Sequence, residues 1–251
     1  MSGVFLHPDW PVSGPVRALT TQRHHPGLPG SSEGPWRGLN LGAHVGDQPR
    51  HVAANRSVVR QAAGLPAEPQ WLDQVHGRHV LYLSGAAPEA PADAAWTDRP
   101  GRVCAILTAD CLPVFLAHEA GRWVGLAHAG WRGLAEGVIE ATVAAMPGPA
   151  SALHAWLGPA IGPAAFQVGE EVREAFVARD PEAEAAFQAD GPEHWRADLP
   201  ALARRRLEAL GVASVGGDGL CTWSDPARFF SHRRQAPCGR MASLIWIEPE
   251  A

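Results

Sequence analysis

Three apolar runs in the middle of the chain place the strongest constraint on its fold. Residues 103–107 (VCAIL), 113–118 (PVFLAH) and 122–128 (RWVGLAH) are rich in branched and aromatic side chains. Runs of this length, bounded by turn residues, are typical of strands. Residues 241–247 (MASLIWI) have the same character, and they predict that the chain closes on a buried strand.

Helical periodicity lies on both sides of these strands. Apolar residues recur at helical spacing over residues 48–64 and 134–146. A short helix is predicted at 170–176, and another after Asp198, whose side chain suits a helix N-cap. Further strands are predicted at 16–20, 71–75 and 79–83, with a Pro/Ala loop that extends to residue 95. Residues 155–162 (AWLGPAIG) predict another strand that runs into a Gly/Pro turn. Because strands and helices do not alternate regularly, we expect an α+β fold, built as one globular unit over residues 1–251.

Composition narrows the possible partners. The net charge of -5 and the absence of a basic run argue against nucleic-acid binding, which needs a basic face. The four cysteines form no Cys-X-X-Cys pair, so we expect free thiols. The first ten residues do not have the pattern of a leader peptide, and we find no apolar run long enough to cross a bilayer. We therefore expect a monomeric cytoplasmic protein whose partners are small molecules.

Cys111 and His128 flank two of the apolar runs, which are joined by a turn at residues 118–121 (HEAG). If these strands form a hairpin, positions 111 and 128 lie roughly opposite each other. Opposed residues in an antiparallel pair have Cα atoms about 4.5 to 5.5 Å apart, close enough to share one metal ion. His76 ends another apolar stretch and could supply a third ligand. Three protein ligands with one open position are the pattern of a catalytic zinc.

The same atoms permit an interpretation without metal. Cys111 would be a nucleophile, His128 its base, and Asp110 or Asp73 the carboxylate that orients the base. Spacing alone does not separate this arrangement from zinc binding. Copper is the weakest of the three interpretations, since the 12 histidines include no His-X-His pair.

Seven segments of the chain, taken in order, resemble one known family. They are Gly38–Gly42 (GLNLG), Asp73–Gly77 (DQVHG), Thr108–Pro113 (TADCLP), His128–Gly133 (HAGWRG), Gly158–Gly162 (GPAIG), Phe229–Arg234 (FFSHRR) and Gly239–Ser243 (GRMAS). Together they are similar to the YfiH family, also called the laccase-domain or polyphenol oxidase family.

The resemblance implies an αββα-type sandwich of mixed sheets flanked by helices, with zinc held by two histidines and a cysteine that match His76, Cys111 and His128. It favours zinc over the metal-free hydrolase. Members are linked to phosphorolysis of adenosine, inosine and S-methyl-5'-thioadenosine, and to deamination of adenosine. A laccase label and a role in peptidoglycan editing also attach to the family. The alternatives are therefore a Cys-His hydrolase of cell-wall precursors and a copper-dependent polyphenol oxidase.

Phosphorolysis needs cations that bind phosphate, and the planar fork of arginine can hold a phosphate group through two hydrogen bonds. We predict Arg233 for this contact, with Arg56 and Arg37 behind it, and Asn40 as a further substrate or supporting contact. The predicted catalytic residues are Cys111, His76, His128 and Asp110.

Overall fold

Two sheets stacked face to face form the centre of the protein. The computed structural model describes residues 3–85, 90–217 and 219–249. One sheet has the strand order β1 (Val16–Thr20), β13 (Met241–Ile247), β5 (Val103–Thr108) and β2 (Gln70–Trp71). The other has the order β12 (Ser214–Gly217), β8 (Leu153–Leu157), β6 (Leu112–His118), β7 (Val124–Ala129), β4 (Ala94–Thr97) and β3 (Val80–Tyr82).

Helices cover the outer faces of the two sheets. They are α1 (Pro49–Ala62), α2 (Trp131–Glu136), α3 (Val138–Ala145), α4 (Glu170–Val177) and α5 (Leu199–Ala209), with 3-10 turns at Gly34–Trp36, Ala150–Ala152 and Pro181–Ala186. A small third sheet has the order β10 (Phe187–Ala189), β11 (His194–Ala197) and β9 (Gln167–Gly169). None of the helices in the described ranges is long and apolar enough to cross a membrane.

The central strands are apolar throughout because both of their faces are covered. In β5, Ile106 packs between the sheets with Phe115 and Leu126. Its neighbour Leu107 points the other way and packs with Val59 of α1. Every residue of β5, β6 and β7 is buried, as expected for strands enclosed on both sides. The layer order is helix, sheet, sheet, helix, which confirms the predicted α+β class and the αββα sandwich.

Most predicted elements are present, and the differences have local causes. The single helix predicted over 134–146 is wrong: Gly137 adopts a left-handed conformation with φ of 100° and separates α2 from α3. The strand predicted at 71–75 ends at Trp71. The strand predicted to start at residue 155 and run into a Gly/Pro turn begins two residues earlier, at Leu153, and ends at Leu157. The predicted loop up to residue 95 contains the start of β4, while residues 86–89 of that loop lie outside the described ranges. Asp198 caps α5 as predicted, accepting a hydrogen bond from the Ala201 amide at 2.9 Å.

Candidate metal centre

The fold brings His76, Cys111 and His128 together at one end of the six-stranded sheet. One ligand atom from each of these side chains lies within 4.8 Å of the other two. His128 is buried in β7, Cys111 directly precedes β6 and is half-buried, and His76 is exposed on the loop after β2. The two imidazole rings lie 4.7 Å apart between centroids, at an interplanar angle of 62°. The three residues singled out from spacing therefore form one group.

The hairpin between β6 and β7 exists, but its predicted register is wrong. His128 lies opposite Pro113, not opposite Cys111, because the reversal is centred about one residue later than expected. Extending the same register sets Cys111 opposite Gly130, on the face that also carries His128. The two ligands are therefore diagonal neighbours, whose separation of about 7 to 8 Å is still within reach of their side chains.

Two glycines in the HAGWRG segment allow the His76 loop to approach β7 and α2. A Cβ atom at Gly130 would lie 2.8 Å from His76 Nδ1 and 3.1 Å from Cys111 Sγ. A Cβ at Gly133 would lie 2.6 Å from the carbonyl oxygen of Gly77. Any larger side chain at these positions would displace the ligands, since Cβ contacts this short are not tolerated. The two glycines of this motif therefore leave the space that the three ligand side chains occupy.

Asp93 connects two of the three ligands. Its Oδ1 lies 2.7 Å from Nδ1 of His128 and accepts the backbone N–H of His76 at 2.9 Å. Its Oδ2 accepts the amides of Val75 and Gly77 at 3.2 and 2.7 Å. This fully buried carboxylate fixes the loop on which His76 adopts an unusual φ of 60°. The Asp93 carboxylate therefore positions His128 through the imidazole ring of that residue, and positions His76 through the backbone amides of the His76 loop.

Asp93 also determines which imidazole nitrogen of His128 faces Cys111 and His76. Because Nδ1 is hydrogen-bonded to Asp93, Nε2 remains to act as the ligand atom, the usual arrangement behind metal-binding histidines. Burial would raise the pKa of the Asp93 carboxyl, but hydrogen bonds from His128 and from the amides of Gly77 and Val75 hold it below its usual value. Asp93 is therefore ionised at physiological pH, and its carboxylate oxygens accept these hydrogen bonds.

Cys111 and His128 shift each other's ionisation in opposite directions. Burial would raise the pKa of the Cys111 thiol, but the charges and hydrogen bonds of His128 and His76 lower it to about 6. Burial would lower the pKa of His128, but the Cys111 thiolate and Asp93 raise it to about 9. The thiolate form, which is both the nucleophile and the metal ligand, is thus favoured at neutral pH.

The ionisation of Cys111 predicts its reactivity in metal-free protein. We expect the rate of alkylation by iodoacetamide, followed peptide by peptide, to rise with a midpoint near pH 6, because only the thiolate reacts. The His128→Ala variant should move this midpoint upward. Cys104 serves as the internal control, since its complete burial raises its thiol pKa and should leave it unmodified. A midpoint near pH 9 for Cys111 would contradict the described geometry.

The donor set fits a single metal ion. Two imidazoles and a thiolate are ligands that suit Zn²⁺, and three protein ligands leave a coordination position for a reactant. The cradle at Gly130, the low pKa of the Cys111 thiol and the carboxylate behind His128 all favour ligation. Within the described ranges, His76, Cys111 and His128 form the one group of three or more such side chains close enough to hold an ion.

A cavity of about 180 Å³ opens onto the three ligands. Besides the ligands, its wall includes two further imidazoles, of His44 and His232, and the side chain of Arg240. Burial and then the charge of Arg240 lower the pKa of His44, which favours its neutral form. One arginine and two histidines thus line the cavity beside the three candidate ligands.

Asn40 lies behind this cavity and supports Arg240. Its Oδ1 accepts the backbone amides of Gly42 and Arg240, each at 2.9 Å, and its Nδ2 donates to Asp47 at 2.8 Å. The side chain is fully buried. Asn40, predicted as a substrate or supporting contact, is thus placed to position Arg240.

Asp110 contacts the segments on the other side of Cys111. Its carboxylate accepts the Thr222 hydroxyl at 2.6 Å and the Arg233 backbone amide at 2.7 Å. Asp110 has a φ of 95°, a strained conformation that these bonds hold in place. The carboxylate hydrogen-bonded to His128 is Asp93, so the orienting role considered for Asp110 or Asp73 belongs to a residue that sequence reasoning did not single out.

The three arginines predicted to bind phosphate lie outside the wall of the metal cavity. Arg233 donates to a carbonyl oxygen of β9 at 2.9 Å. Arg56 lies 4.0 Å above the ring of Trp71 and donates to the carbonyl of Leu41 at 2.9 Å. Arg37 lines a separate cavity. Arg240 was visible only as part of the GRMAS motif, and that motif was the signal that could have identified it.

The fold and the ligand group define an α+β protein with a candidate mononuclear metal centre. The family described as "Multi-copper polyphenol oxidoreductase laccase" matches residues 17–248. The chain therefore belongs to this family, which confirms the resemblance seen in its motifs.

Relatives and solved structures agree with this assignment. The chain is 50% identical over 245 residues to a protein of Pseudomonas aeruginosa named purine nucleoside phosphorylase, covering 97% of this chain and 98% of that protein. It is 48% identical to the purine nucleoside phosphorylase YfiH of Escherichia coli, covering 96% and 97%. A Neisseria meningitidis protein has a similar structure, with a TM-score of 0.92 at 45% identity over 98% of this chain and all of that one. YlmD of Geobacillus stearothermophilus has a TM-score of 0.89 at 30% identity, covering 99% and 98%.

Proposed function

We propose that this protein is a purine nucleoside phosphorylase that works with one Zn²⁺ ion held by His76, Cys111 and His128. The observation that carries the proposal is the convergence of these three donors within 4.8 Å, with Asp93 behind His128. The names of the relatives in Pseudomonas aeruginosa and Escherichia coli support the reaction class. The proposed substrates are adenosine, inosine and S-methyl-5'-thioadenosine, with deamination of adenosine as a side activity.

In phosphorolysis, a phosphate oxygen forms a bond to C1' of the ribose while the bond from C1' to the base nitrogen breaks. The electron pair of that bond leaves with the base, which takes up a proton. When bound, the metal ion supplies a Lewis acid that polarises phosphate, or a water molecule in the case of deamination.

The residues of the cavity supply binding and orientation for this reaction. We assign the main phosphate contact to Arg240, which lines the metal cavity. Its Nη1 donates to the carbonyl oxygens of Cys238 and Gly239 at 2.9 and 3.1 Å, while its Nε and Nη2 make no hydrogen bond with any residue in the described ranges, so both remain available to a ligand. We assign His44 and His232 as further hydrogen-bond donors to the phosphate or the leaving base, because both residues line the same cavity. Arg56 adds positive potential, since its charge reaches His44 and helps to lower the pKa of that imidazole.

Product analysis tests the reaction class. Zinc-loaded protein incubated with adenosine and phosphate should release adenine and ribose 1-phosphate, and omission of phosphate should abolish both products. The Arg240→Ala variant should raise the KM for phosphate about tenfold or more, the usual consequence of losing a charged hydrogen bond. Arg60→Ala, which alters an exposed arginine on α1, is the matched control. Cleavage that does not depend on phosphate would overturn the phosphorylase assignment.

A second candidate function is supported by a specific contact set. Cys111, His128 and Asp93 form a thiol, imidazole and carboxylate series of the kind found in cysteine hydrolases. Such an enzyme could act on an amide bond of a cell-wall precursor without any metal. Full activity after chelation, together with complete inhibition by alkylation of Cys111, would favour this reaction. A copper-dependent polyphenol oxidase is the third and weakest candidate, because the described donors form a single three-residue group.

A further inference from the structure

A second cavity, of about 1170 Å³, shares none of its lining residues with the metal cavity. Its wall carries three arginines and two histidines: Arg23, Arg37, Arg228, His24 and His25. We call this the cationic cavity. Among the described residues that line it, Glu33 is the one acid. The net charge of the whole chain is -5, whereas the charged side chains that line this cavity are mostly positive.

Arg23 is held in a fixed position within the cationic cavity. Its Nε donates to the carbonyl of Arg37 at 3.1 Å, and its Nη1 donates to the carbonyl of Pro226 at 3.4 Å. The guanidinium carbon also lies 5.1 Å from the ring centroid of Phe230. These contacts are to neutral groups, so they fix the side chain without compensating its charge.

The other two guanidinium groups differ in how far their charges are compensated. Arg228 is paired with Asp225 at 2.6 Å. Arg37 is exposed, and its side chain makes no hydrogen bond or ion pair with any residue in the described ranges. Arg37 is therefore a cation with donors available to a ligand.

The cations of this cavity repel one another. Burial, followed by the charges of Arg234 and Arg37, lowers the pKa of Arg23. Burial, followed by the charges of Arg23 and Arg37, lowers the pKa of His24. A bound anion would relieve this repulsion and would stabilise the protonated form of His24.

We propose that the cationic cavity binds a small molecule that carries a chain of phosphate groups. Guanidinium groups hold phosphate oxygens through paired hydrogen bonds, which no other side chain supplies as well. Arg23 and Arg37 each present a charge that no carboxylate in the described ranges neutralises, and the volume exceeds what a single phosphate group occupies. The ligand class is therefore a polyphosphate, bound at a site separate from the metal.

Calorimetric titration with inorganic tripolyphosphate tests this proposal on the zinc-loaded protein. Arg37→Ala should weaken binding about tenfold or more, while Arg60→Ala should leave it unchanged. Glu33→Gln, which removes the acid from the wall, should tighten binding about two- to fivefold. This gain cannot be produced by a partly unfolded variant. Inorganic phosphate should bind at least about tenfold more weakly than tripolyphosphate, because it meets fewer of the cations.

The other outcomes overturn the proposal. Absence of binding, or equal binding by the wild type and the Arg37→Ala variant, would show that the cationic cavity is not the site. Loss of tripolyphosphate binding in the His76→Ala variant would place the ligand at the metal instead. Equal affinities for phosphate and tripolyphosphate would exclude a site built for a chain of phosphates.

Discussion

Replacing His76 with alanine should lower the phosphate-dependent cleavage of adenosine by about a thousandfold. The substitution removes one of three metal ligands from an exposed loop, and a metal ion contributes several kcal/mol of transition-state stabilisation in reactions of this kind. The variant should retain its fold, because His76 is exposed and its backbone amide still donates to Asp93. Steady-state kinetics with chromatographic detection of adenine measure the effect.

This substitution also separates the two main candidate functions. In a cysteine hydrolase built on Cys111, His128 and Asp93, His76 would only help to lower the pKa of the Cys111 thiol, so activity would fall far less in the variant than in the metal-dependent enzyme. His194→Ala is the matched control, since this histidine is exposed on β11 and lies outside the metal group. Activity close to that of the wild type in His76→Ala would contradict the metal-dependent proposal while leaving the hydrolase possible.

The Asp93→Asn substitution should weaken zinc binding about 10- to 100-fold, the usual loss when a carboxylate behind a metal-bound histidine is removed. Asparagine can accept hydrogen bonds through one oxygen only, whereas the Asp93 carboxylate uses two oxygens for His128 and three successive amides. His128 should no longer be held in a single tautomer, and the loop that carries His76 should become less ordered. Competition with a zinc chelator of known affinity gives the change in Kd.

Asp73→Asn is the control for this experiment. Asp73 lies in the same DQVHG segment as His76, but its side chain is exposed. Urea unfolding of the metal-free proteins would show whether Asp93→Asn acts beyond a general loss of stability. Equal zinc affinities for Asp93→Asn and the wild type would mean that the carboxylate does not organise the ligands.

The central fold was predictable because its strands are enclosed on both faces. β5, β6, β7 and β13 are continuous apolar runs, and such runs leave few alternatives to a buried sheet. The strands β9 to β12 were missed because they are three or four residues long and partly exposed. The break at Gly137 was missed because apolar residues keep their helical spacing across it.

The residues of the candidate site were predictable where their residue type is rare in the sequence, and they were not predictable where it is common. Cysteine and histidine at the ends of strands indicated the ligand group, even though the register assumed for the hairpin was wrong. Asp93 was overlooked because it follows a Pro/Ala-rich stretch that favours a loop, and only the tertiary structure brings it to His128. The 21 basic residues are all arginine, so residue type did not distinguish Arg240, and only its place in the GRMAS motif set it apart.

The central claim is that His76, Cys111 and His128 bind one zinc ion together. X-ray absorption spectroscopy at the zinc edge, on protein purified with supplemented zinc, tests this claim most directly. The described geometry predicts one ion per chain with one sulfur ligand at about 2.3 Å and two imidazole nitrogens at about 2.0 to 2.1 Å. It also predicts a further light-atom ligand at the open position. A spectrum without a sulfur ligand, or protein that retains no stoichiometric zinc, would show that His76, Cys111 and His128 do not hold the ion together.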